Sequence, residues 1–246
     1  CTGTHGTISL ETALQKSCNV FFMETGYRTT IAKMNAYARQ LGLGEKTGVE
    51  INEVTGTLAG PAEKASKDGG VWTPVDTVQA AIGQHDNLFT PAQLATYVAT
   101  IANDGTRKQV HLVDHVTDYS RKNVISKTQP KTIVDNSDYS FLSKENLRTV
   151  QAGMRLVTST GGTAQATFAN YPVAVAAKTG TAQTQEGEAA TENTTFIAYA
   201  PYEKPEIAVA VVLEHGVKGA YSQTVAKAIF DSYFHVNQNT SSSSAG

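Results

Sequence analysis

The chain has 246 residues, of which 40% are hydrophobic and 17% are charged, and its formal net charge at pH 7 is −2. This composition is typical of a globular protein with one large or two small domains. It gives no electrostatic argument for binding nucleic acid or an anionic membrane surface, and no apolar run reaches the length of a membrane span. Because the first residue is Cys1 rather than methionine, we interpret the chain as a fragment or a processed product.

Helices are predicted at several points along the chain. Ser9 is a suitable N-cap for a short helix that stops at Ser17-Cys18-Asn19. That polar tripeptide is either a simple turn or a loop that presents a hydroxyl and an amide to a cleft, and the residue types alone favour the turn. In the last predicted helix, Val225, Ile229 and Tyr233 are expected to face inward. That last helix covers Tyr221 to Phe234, and the other predicted helices cover Thr30 to Leu41, Thr90 to Ile101 and Ser143 to Val157.

Two stretches lack a helical period. Residues 55–76 are rich in Gly, Pro and polar residues, and we predict long irregular structure there. Residues 106–140 carry many charges and short alternating runs, which predict a peripheral hairpin-like excursion. Within it, His111 and His115 have the spacing of a helical zinc pair, but no third ligand is obvious and the run also alternates like a strand. We therefore predict no metal site.

The two cysteines, Cys1 and Cys18, are too few for a disulfide framework and lack the spacing of a metal site. A single bridge between them would require an oxidising compartment and suitable geometry. Two separate thiols, one terminal and one half-buried, are the favoured interpretation.

The strongest strand signals lie near the C-terminus. A short apolar run, Val173 to Ala177, leads into Lys178-Thr179-Gly180-Thr181, and strands are also predicted over Thr194 to Ala200 and Ile207 to Leu213. Their short connections predict an antiparallel sheet. The first strand would place a cation and two hydroxyls along one edge, and Gly180 would let a ligand lie close to the backbone.

A second Lys-Thr-Gly occurs at Lys46-Thr47-Gly48. It lacks the Gly-Lys-Ser/Thr order of a phosphate-binding loop, and no predicted strand precedes it. We interpret it as a solvated turn after a helix.

Two of these motifs form a pair. Ser17-Cys18-Asn19, followed at long range by Lys178-Thr179-Gly180-Thr181, resembles the S-x-N and K-T-G motifs of penicillin-binding proteins. Other segments, in order from residue 1 to about residue 235, resemble the elongation-type class B transpeptidases of that family. They are Cys1-Thr-Gly-Thr-His-Gly6, Leu41-Gly-Leu-Gly44, Ala81-Ile-Gly-Gln84 with Thr90-Pro91, and Ile197-Ala-Tyr-Ala-Pro201.

The resemblance implies an α/β (α+β) fold of the penicillin-binding-protein/β-lactamase-like transpeptidase type. It has an antiparallel sheet flanked by helices, and we expect its N-terminal part to be missing from this chain. The transpeptidase domain is expected to cover residues 1–236, and the Ser-rich tail over residues 237–246 is expected to be disordered.

The resemblance also assigns roles to residues. Ser17 would belong to a proton relay, Asn19 would hydrogen-bond the donor peptide or the side-chain amide of a drug, and Lys178 would stabilise charge in the cleft and help to tune the relay. The implied substrate-binding residues are Thr179, Gly180 and Thr181. Both threonines would bind the terminal carboxylate of the substrate, and the backbone N–H of Thr181 would be one oxyanion-hole donor.

The family pattern further requires Ser-x-x-Lys, in which the serine is acylated. No lysine of this chain has a serine three residues before it, so we expect that motif upstream of Cys1 and expect the chain alone to be inactive. The intact protein would be a serine-type D-Ala-D-Ala transpeptidase. A β-lactam-sensing or binding module and a serine β-lactamase are the alternatives; no Glu-x-x-Asn lies between Asn19 and Lys178, so the class A lactamase pattern is absent.

The implied ligands are peptidoglycan stem peptides ending in D-Ala-D-Ala and β-lactam antibiotics, without a cofactor or metal ion. The implied partners are the cell-wall elongation machinery, including a glycosyltransferase, and no nucleic acid. The implied location is the extracytoplasmic face of the bacterial cell membrane, with an N-terminal anchor absent from this chain.

Overall fold

The structure is a computed structural model that describes residues 3–183, 192–216 and 218–236. Helices dominate the first two thirds of these residues, and the main sheet lies near the C-terminus. The helices are α1 (Leu10–Lys16), α2 (Asn19–Thr29), α3 (Ile31–Gln40), α4 (Pro61–Asp68), α5 (Pro74–Ala81), α6 (Pro91–Ala102), α7 (Lys144–Val157), α8 (Gln165–Phe168) and α9 (Gly219–Tyr233). The strands are β1 (Arg107–Lys108), β2 (His115–Thr117), β3 (Val124–Lys127), β4 (Thr132–Val134), β5 (Ala176–Gln183), β6 (Glu192–Ala200) and β7 (Ile207–Leu213).

The main sheet is antiparallel in the order β5-β6-β7. Lys178 pairs with Ile197, and Phe196 pairs with Val211. The predicted sheet is confirmed with the Lys-Thr-Gly segment inside β5, but the strand begins at Ala176 rather than at Val173, the start of the predicted apolar run. The sequence also predicts a polar, acidic turn over residues 185–193, and most of it lies outside the described residues.

Helices cover both faces of this sheet. On one face, Ala177, Phe196 and Ala198 pack with residues of α8 and α9 around Phe168 and Phe230. On the other face, Ala176 and Tyr199 pack with residues of α6 and α7. Successive strand residues point to opposite faces, so the alternating apolar pattern supplies both cores. The mixed helix and antiparallel-sheet fold is the predicted one.

The N-cap predicted at Ser9 is confirmed, because its hydroxyl oxygen accepts from the backbone N–H of Thr12. Thr90 and Gln93 form a reciprocal capping box at the start of α6, with Pro91 as the first helical residue, and the Ser143 hydroxyl accepts from the backbone N–H of Asn146 at the start of α7. These caps satisfy backbone donors that a helix leaves unpaired at its N-terminus.

The prediction of long irregular structure over residues 55–76 is wrong. Helix α4 lies within this stretch, and α5 begins in it at Pro74. Pro61 and Pro74 each occupy the first position of a helix, where proline loses no hydrogen bond. The same residue type that interrupts a helix therefore starts two helices here.

The predicted excursion over residues 106–140 is confirmed as two antiparallel ribbons, β1–β4 and β2–β3. His115 is the first residue of β2, and His111 precedes that strand. The spacing of these histidines is therefore not a helical one.

The predicted inward face of α9 is wrong. Val225, Ile229 and Tyr233 are 43%, 39% and 46% exposed, whereas Ala226 and Phe230 are fully buried against the sheet. The helix carries apolar side chains on two faces, and its sequence period cannot tell which of them meets the sheet.

Candidate active site

The two predicted motifs meet at the surface of β5. The ammonium of Lys178 donates to the Ser17 hydroxyl oxygen at 2.8 Å and to the Thr179 carbonyl oxygen at 2.6 Å. Ser17 and Lys178 are 161 residues apart in the sequence. An ammonium carries three donors, so one N–H of Lys178 is left over for a ligand after these two contacts.

Ser17 is held in place by the end of α1. It adopts left-handed dihedrals, φ 50° and ψ 53°, its N–H donates to the Leu14 carbonyl, and the N–H of Cys18 donates to the Ala13 carbonyl. Such a turn closes a helix, but glycine is the residue it favours. The tripeptide is therefore both the turn between α1 and α2 and a loop that presents a hydroxyl to Lys178.

Asn19 is the first residue of α2 and is half-buried. No hydrogen bond joins its side chain to another residue of the described ranges. Cys18, between Ser17 and Asn19, is buried at 5% exposure rather than half-buried, whereas Cys1 lies outside the described residues, so the predicted state of that pair is untested.

Burial changes the electrostatics of Lys178. Because the half-buried ammonium loses part of its hydration, its pKa falls from 10.5 to about 8. The group therefore keeps its charge at neutral pH but loses its proton more readily than an exposed lysine. Such a group can hold an anion and can also exchange a proton with the hydroxyl beside it.

Thr163 is a site residue that the sequence analysis missed. Its hydroxyl lies 2.9 Å from the hydroxyl of Thr179, and it belongs to the loop between α7 and α8. The carbonyl of Gln15 accepts from its backbone N–H at 3.3 Å. The only signal in the sequence is the Gly161-Gly162 pair directly before it, and no spacing rule links that pair to Lys178.

The remaining residues of the motif follow along β5. The Thr181 side chain is exposed and lies near Gly219, the first residue of α9; a β-carbon at Gly219 would stand 4.0 Å from the Thr181 hydroxyl oxygen. Gly180 is half-buried, and a β-carbon built on it would contact the β-carbon of Thr195 at 3.4 Å. The space above Gly180 is thus bounded by the neighbouring strand β6.

The second Lys-Thr-Gly has a different environment. Thr47 is 4% exposed, and the Glu53 carboxylate accepts from its N–H at 2.8 Å, from its hydroxyl at 2.6 Å and from the N–H of Gly48 at 2.9 Å. Burial tends to raise the pKa of Glu53, but these hydrogen bonds outweigh it and lower the pKa. The segment is therefore not on a strand, but its buried Thr47 and its Gly48 bind the half-buried Glu53 carboxylate, so it is not the solvated turn that we predicted.

Comparison with known proteins shows the family to which this chain belongs. Residues 2–235 match the family model of the penicillin binding protein transpeptidase domain. Penicillin-binding protein 2A of Bacillus subtilis is 33% identical over 94% of this chain and 35% of its own length. The peptidoglycan D,D-transpeptidase MrdA of Escherichia coli K12 is 27% identical over 96% of this chain and 38% of its own length.

The fold agrees with solved structures. Penicillin-binding protein PBP2 of Helicobacter pylori, in its complex with MreC, has a TM-score of 0.78 and 29% identity over 95% of this chain and 41% of that chain. PBP2 of Pseudomonas aeruginosa has a TM-score of 0.76 and 28% identity over 93% of this chain and 50% of that chain. This chain thus spans 35% to 38% of the two curated relatives named above. It belongs to the transpeptidase-domain family of penicillin-binding proteins.

Proposed function

We propose that the protein containing this chain is a serine-type peptidoglycan D,D-transpeptidase that is also acylated by β-lactams. The observation that carries the proposal is the 2.8 Å contact between the Lys178 ammonium and the Ser17 hydroxyl. It joins the S-x-N and K-T-G motifs in a chain that belongs to this family. A hydroxyl that both donates and accepts, next to a lysine with a lowered pKa, is suited to moving a proton.

In this proposal, β5 is the edge against which the acyl donor lies. Thr179 and Thr181 bind the terminal carboxylate of the D-Ala-D-Ala stem peptide or of the drug, and the charge of Lys178 supports the same anion. The backbone N–H of Thr181 serves as one oxyanion-hole donor, a contribution of about 3 kcal/mol to the transition state in comparable sites. Asn19 orients the donor peptide through its amide.

The acylated serine must come from a Ser-x-x-Lys motif, and the 246 residues contain none. We infer that this motif lies elsewhere in the full protein and that the chain alone does not turn over substrate. Acylation of that serine would release D-Ala, and the amine of a neighbouring stem peptide would then attack the acyl-enzyme, form the crosslinking amide and free the serine.

We further propose that the protein works in cell-wall elongation. A solved relative is a complex of PBP2 with MreC, and another is a peptidoglycan synthase complex that coordinates polymerization and crosslinking. A glycan-polymerising partner and a location on the extracytoplasmic face of the membrane follow for this protein by analogy. Across the ranges that the structure describes, every helix is too short or too polar to cross a bilayer.

The test is acylation of the full-length protein by labelled penicillin. We expect Lys178→Ala to abolish labelling without unfolding the protein, because the variant loses the cation beside Ser17. Lys46→Ala is the matched control in the other Lys-Thr-Gly and should be labelled like the wild type. Equal labelling of wild type and Lys178→Ala, or a large loss in Lys46→Ala, would contradict the proposal.

A second measurement separates the enzyme from its alternatives. The wild-type protein should join stem peptides to an amine acceptor and release D-Ala, while its penicillin adduct should persist. Adduct formation without crosslinking would indicate a binding module, and rapid repeated hydrolysis of penicillin would indicate a β-lactamase.

A further inference from the structure

Hydrogen bonds join the C-terminal end of α1 to the loop between α7 and α8. The Lys16 ammonium donates to the Gly161 carbonyl oxygen at 2.8 Å, and the Gln15 side-chain amide donates to the Thr160 carbonyl oxygen at 3.0 Å. The backbone N–H of Thr163 completes the junction through the Gln15 carbonyl oxygen. Each side-chain contact spans 145 residues of sequence, so the junction fixes two distant segments against each other.

Each of the two joined segments, α1 and the loop, leads to a hydroxyl of the candidate active site. Ser17 follows Lys16 directly and accepts from Lys178, whereas Thr163 contacts the hydroxyl of Thr179. Lys178 and Thr179 are neighbours on β5. The positions of the Ser17 and Thr163 hydroxyls relative to each other therefore depend on how α1 and the loop are held together.

Lys16 is suited to joining α1 to the loop through a hydrogen bond rather than to packing in the core. Its side chain is exposed, and as a cation in the last turn of α1 it also interacts favourably with the negative end of the helix dipole. Gly161 adopts φ +80°, and a β-carbon there would stand 3.2 Å from the Lys16 ammonium. The loop thus presents a carbonyl, with no side chain in the way, to a charged donor.

We propose that Lys16 is a positioning residue for the carboxylate-binding end of the site. Its contact with the Gly161 carbonyl keeps Thr163 beside Thr179 while Ser17 stays beside Lys178. The inference rests on the proposed function, because it assumes that Thr179 receives the carboxylate of the acyl donor. It predicts that loss of Lys16 weakens recognition of that carboxylate and leaves the fold intact.

The experiment compares two penicillins in the full-length protein, one with a free carboxylate and one with that carboxylate as a methyl ester. Lys16→Met should lower the second-order acylation rate constant for the free acid about tenfold, since small misplacements of a binding group are costly. The ester should be much less affected, so the preference for acid over ester should fall. Lys16→Arg, which keeps a cationic donor, should recover most of the rate.

Lys33→Met is the matched control, because Lys33 is an exposed lysine of α3 without a hydrogen bond or ion pair to the other described residues. It should behave like the wild type. An unchanged acid-to-ester preference in Lys16→Met would overturn the inference, and so would an equal slowing of both penicillins together with a lower thermal midpoint. A wild-type protein that neither penicillin labels would overturn the proposed function itself.

Discussion

Ser17 combines a strained backbone with a hydroxyl in the candidate active site. Its φ of 50° lies in the left-handed region, where residues other than glycine cost about 1 kcal/mol or more. Serine supplies the hydroxyl that accepts from Lys178, which glycine could not supply. The backbone conformation therefore favours glycine at this position, whereas the contact with Lys178 requires a hydroxyl.

Two substitutions in the full-length protein separate the backbone strain at Ser17 from the role of its hydroxyl. Ser17→Gly and Ser17→Ala both remove the hydroxyl, and each should slow penicillin acylation about 100-fold, the lower range for loss of a proton-transfer group. Only glycine relieves the strained backbone, so Ser17→Gly should be more stable than Ser17→Ala by about 1 kcal/mol. Urea unfolding measures the second effect. A less stable glycine variant would show that the turn is not strained.

The lowered pKa of Lys178 has a consequence for stability. Its pKa is about 8 in the folded protein against 10.5 in an exposed lysine. Between these two values the unfolded chain binds more protons, so this residue makes stability rise with pH there; below about pH 8 the buried charge destabilises the fold in full. Active sites commonly carry such a cost.

Lys178→Met should therefore stabilise the full-length protein at neutral pH. The gain is at most about 3 kcal/mol, because the contacts of the ammonium with Ser17 and the Thr179 carbonyl are lost at the same time. It should shrink as the pH rises from about 8 to above 10, where the wild-type lysine is neutral in both states. Urea unfolding at several pH values measures this trend. If the stability of Lys178→Met relative to the wild type is lower at neutral pH than at high pH, the result contradicts burial of the charge as the cause of the lowered pKa.

At the scale of elements, α1 reaches the site because it packs closely on α7. The contact point is Gly153, where an added β-carbon would stand 2.5 Å from the Leu14 side chain and 3.0 Å from the Glu11 backbone. Leu14 and Glu11 both belong to α1, which ends one residue before Ser17. The absence of a side chain at residue 153 thus sets the distance between α1 and α7.

Gly153→Ala tests this contact. In an isolated helix the change would stabilise by about 1 kcal/mol, but here we expect a loss of about 1–3 kcal/mol from overpacking against the α1 backbone. Because α1 would move with Ser17, acylation of the full-length protein should also slow. Unfolding and labelling measure the two effects. A stabilised variant with normal labelling would show that α1 is free to shift.

The sequence predicts local structure, such as the start of a helix, better than it predicts which surfaces pack together. Thr90 and Ser143 act as caps because their hydroxyls need only their own chain neighbours. The buried face of α9 and the position of Thr163 beside Thr179 both depend on contacts with distant segments. No local period in the sequence encodes such contacts, so the first was predicted wrongly and the second was missed. The second Lys-Thr-Gly shows the same limit at shorter range, since Thr47 donates to Glu53 six residues later, a contact that no helix or strand period predicts.

In the part of the molecule that the structure describes, an apolar stripe and a strand edge are exposed. A stripe on α9 is exposed, and among residues 3–183, 192–216 and 218–236 only β6 pairs with β7, which leaves the outer edge of β7 open. The stripe consists of Tyr221, Val225, Ile229 and Tyr233. Exposed sheet edges and contiguous apolar patches promote association between chains.

The 246-residue chain produced alone exposes the stripe on α9 and the edge of β7 to water. We expect it to bind a hydrophobic dye, to aggregate with increasing concentration and to lack a cooperative thermal transition, because the stripe on α9 and the edge of β7 meet water. Replacing Val225 and Ile229 together by glutamine should lower dye binding and aggregation without changing the helix content, since both side chains are already partly exposed. Lys33→Met serves as a control distant from the stripe. A sharp, reversible thermal transition without dye binding would show instead that this surface is stable in water as it stands.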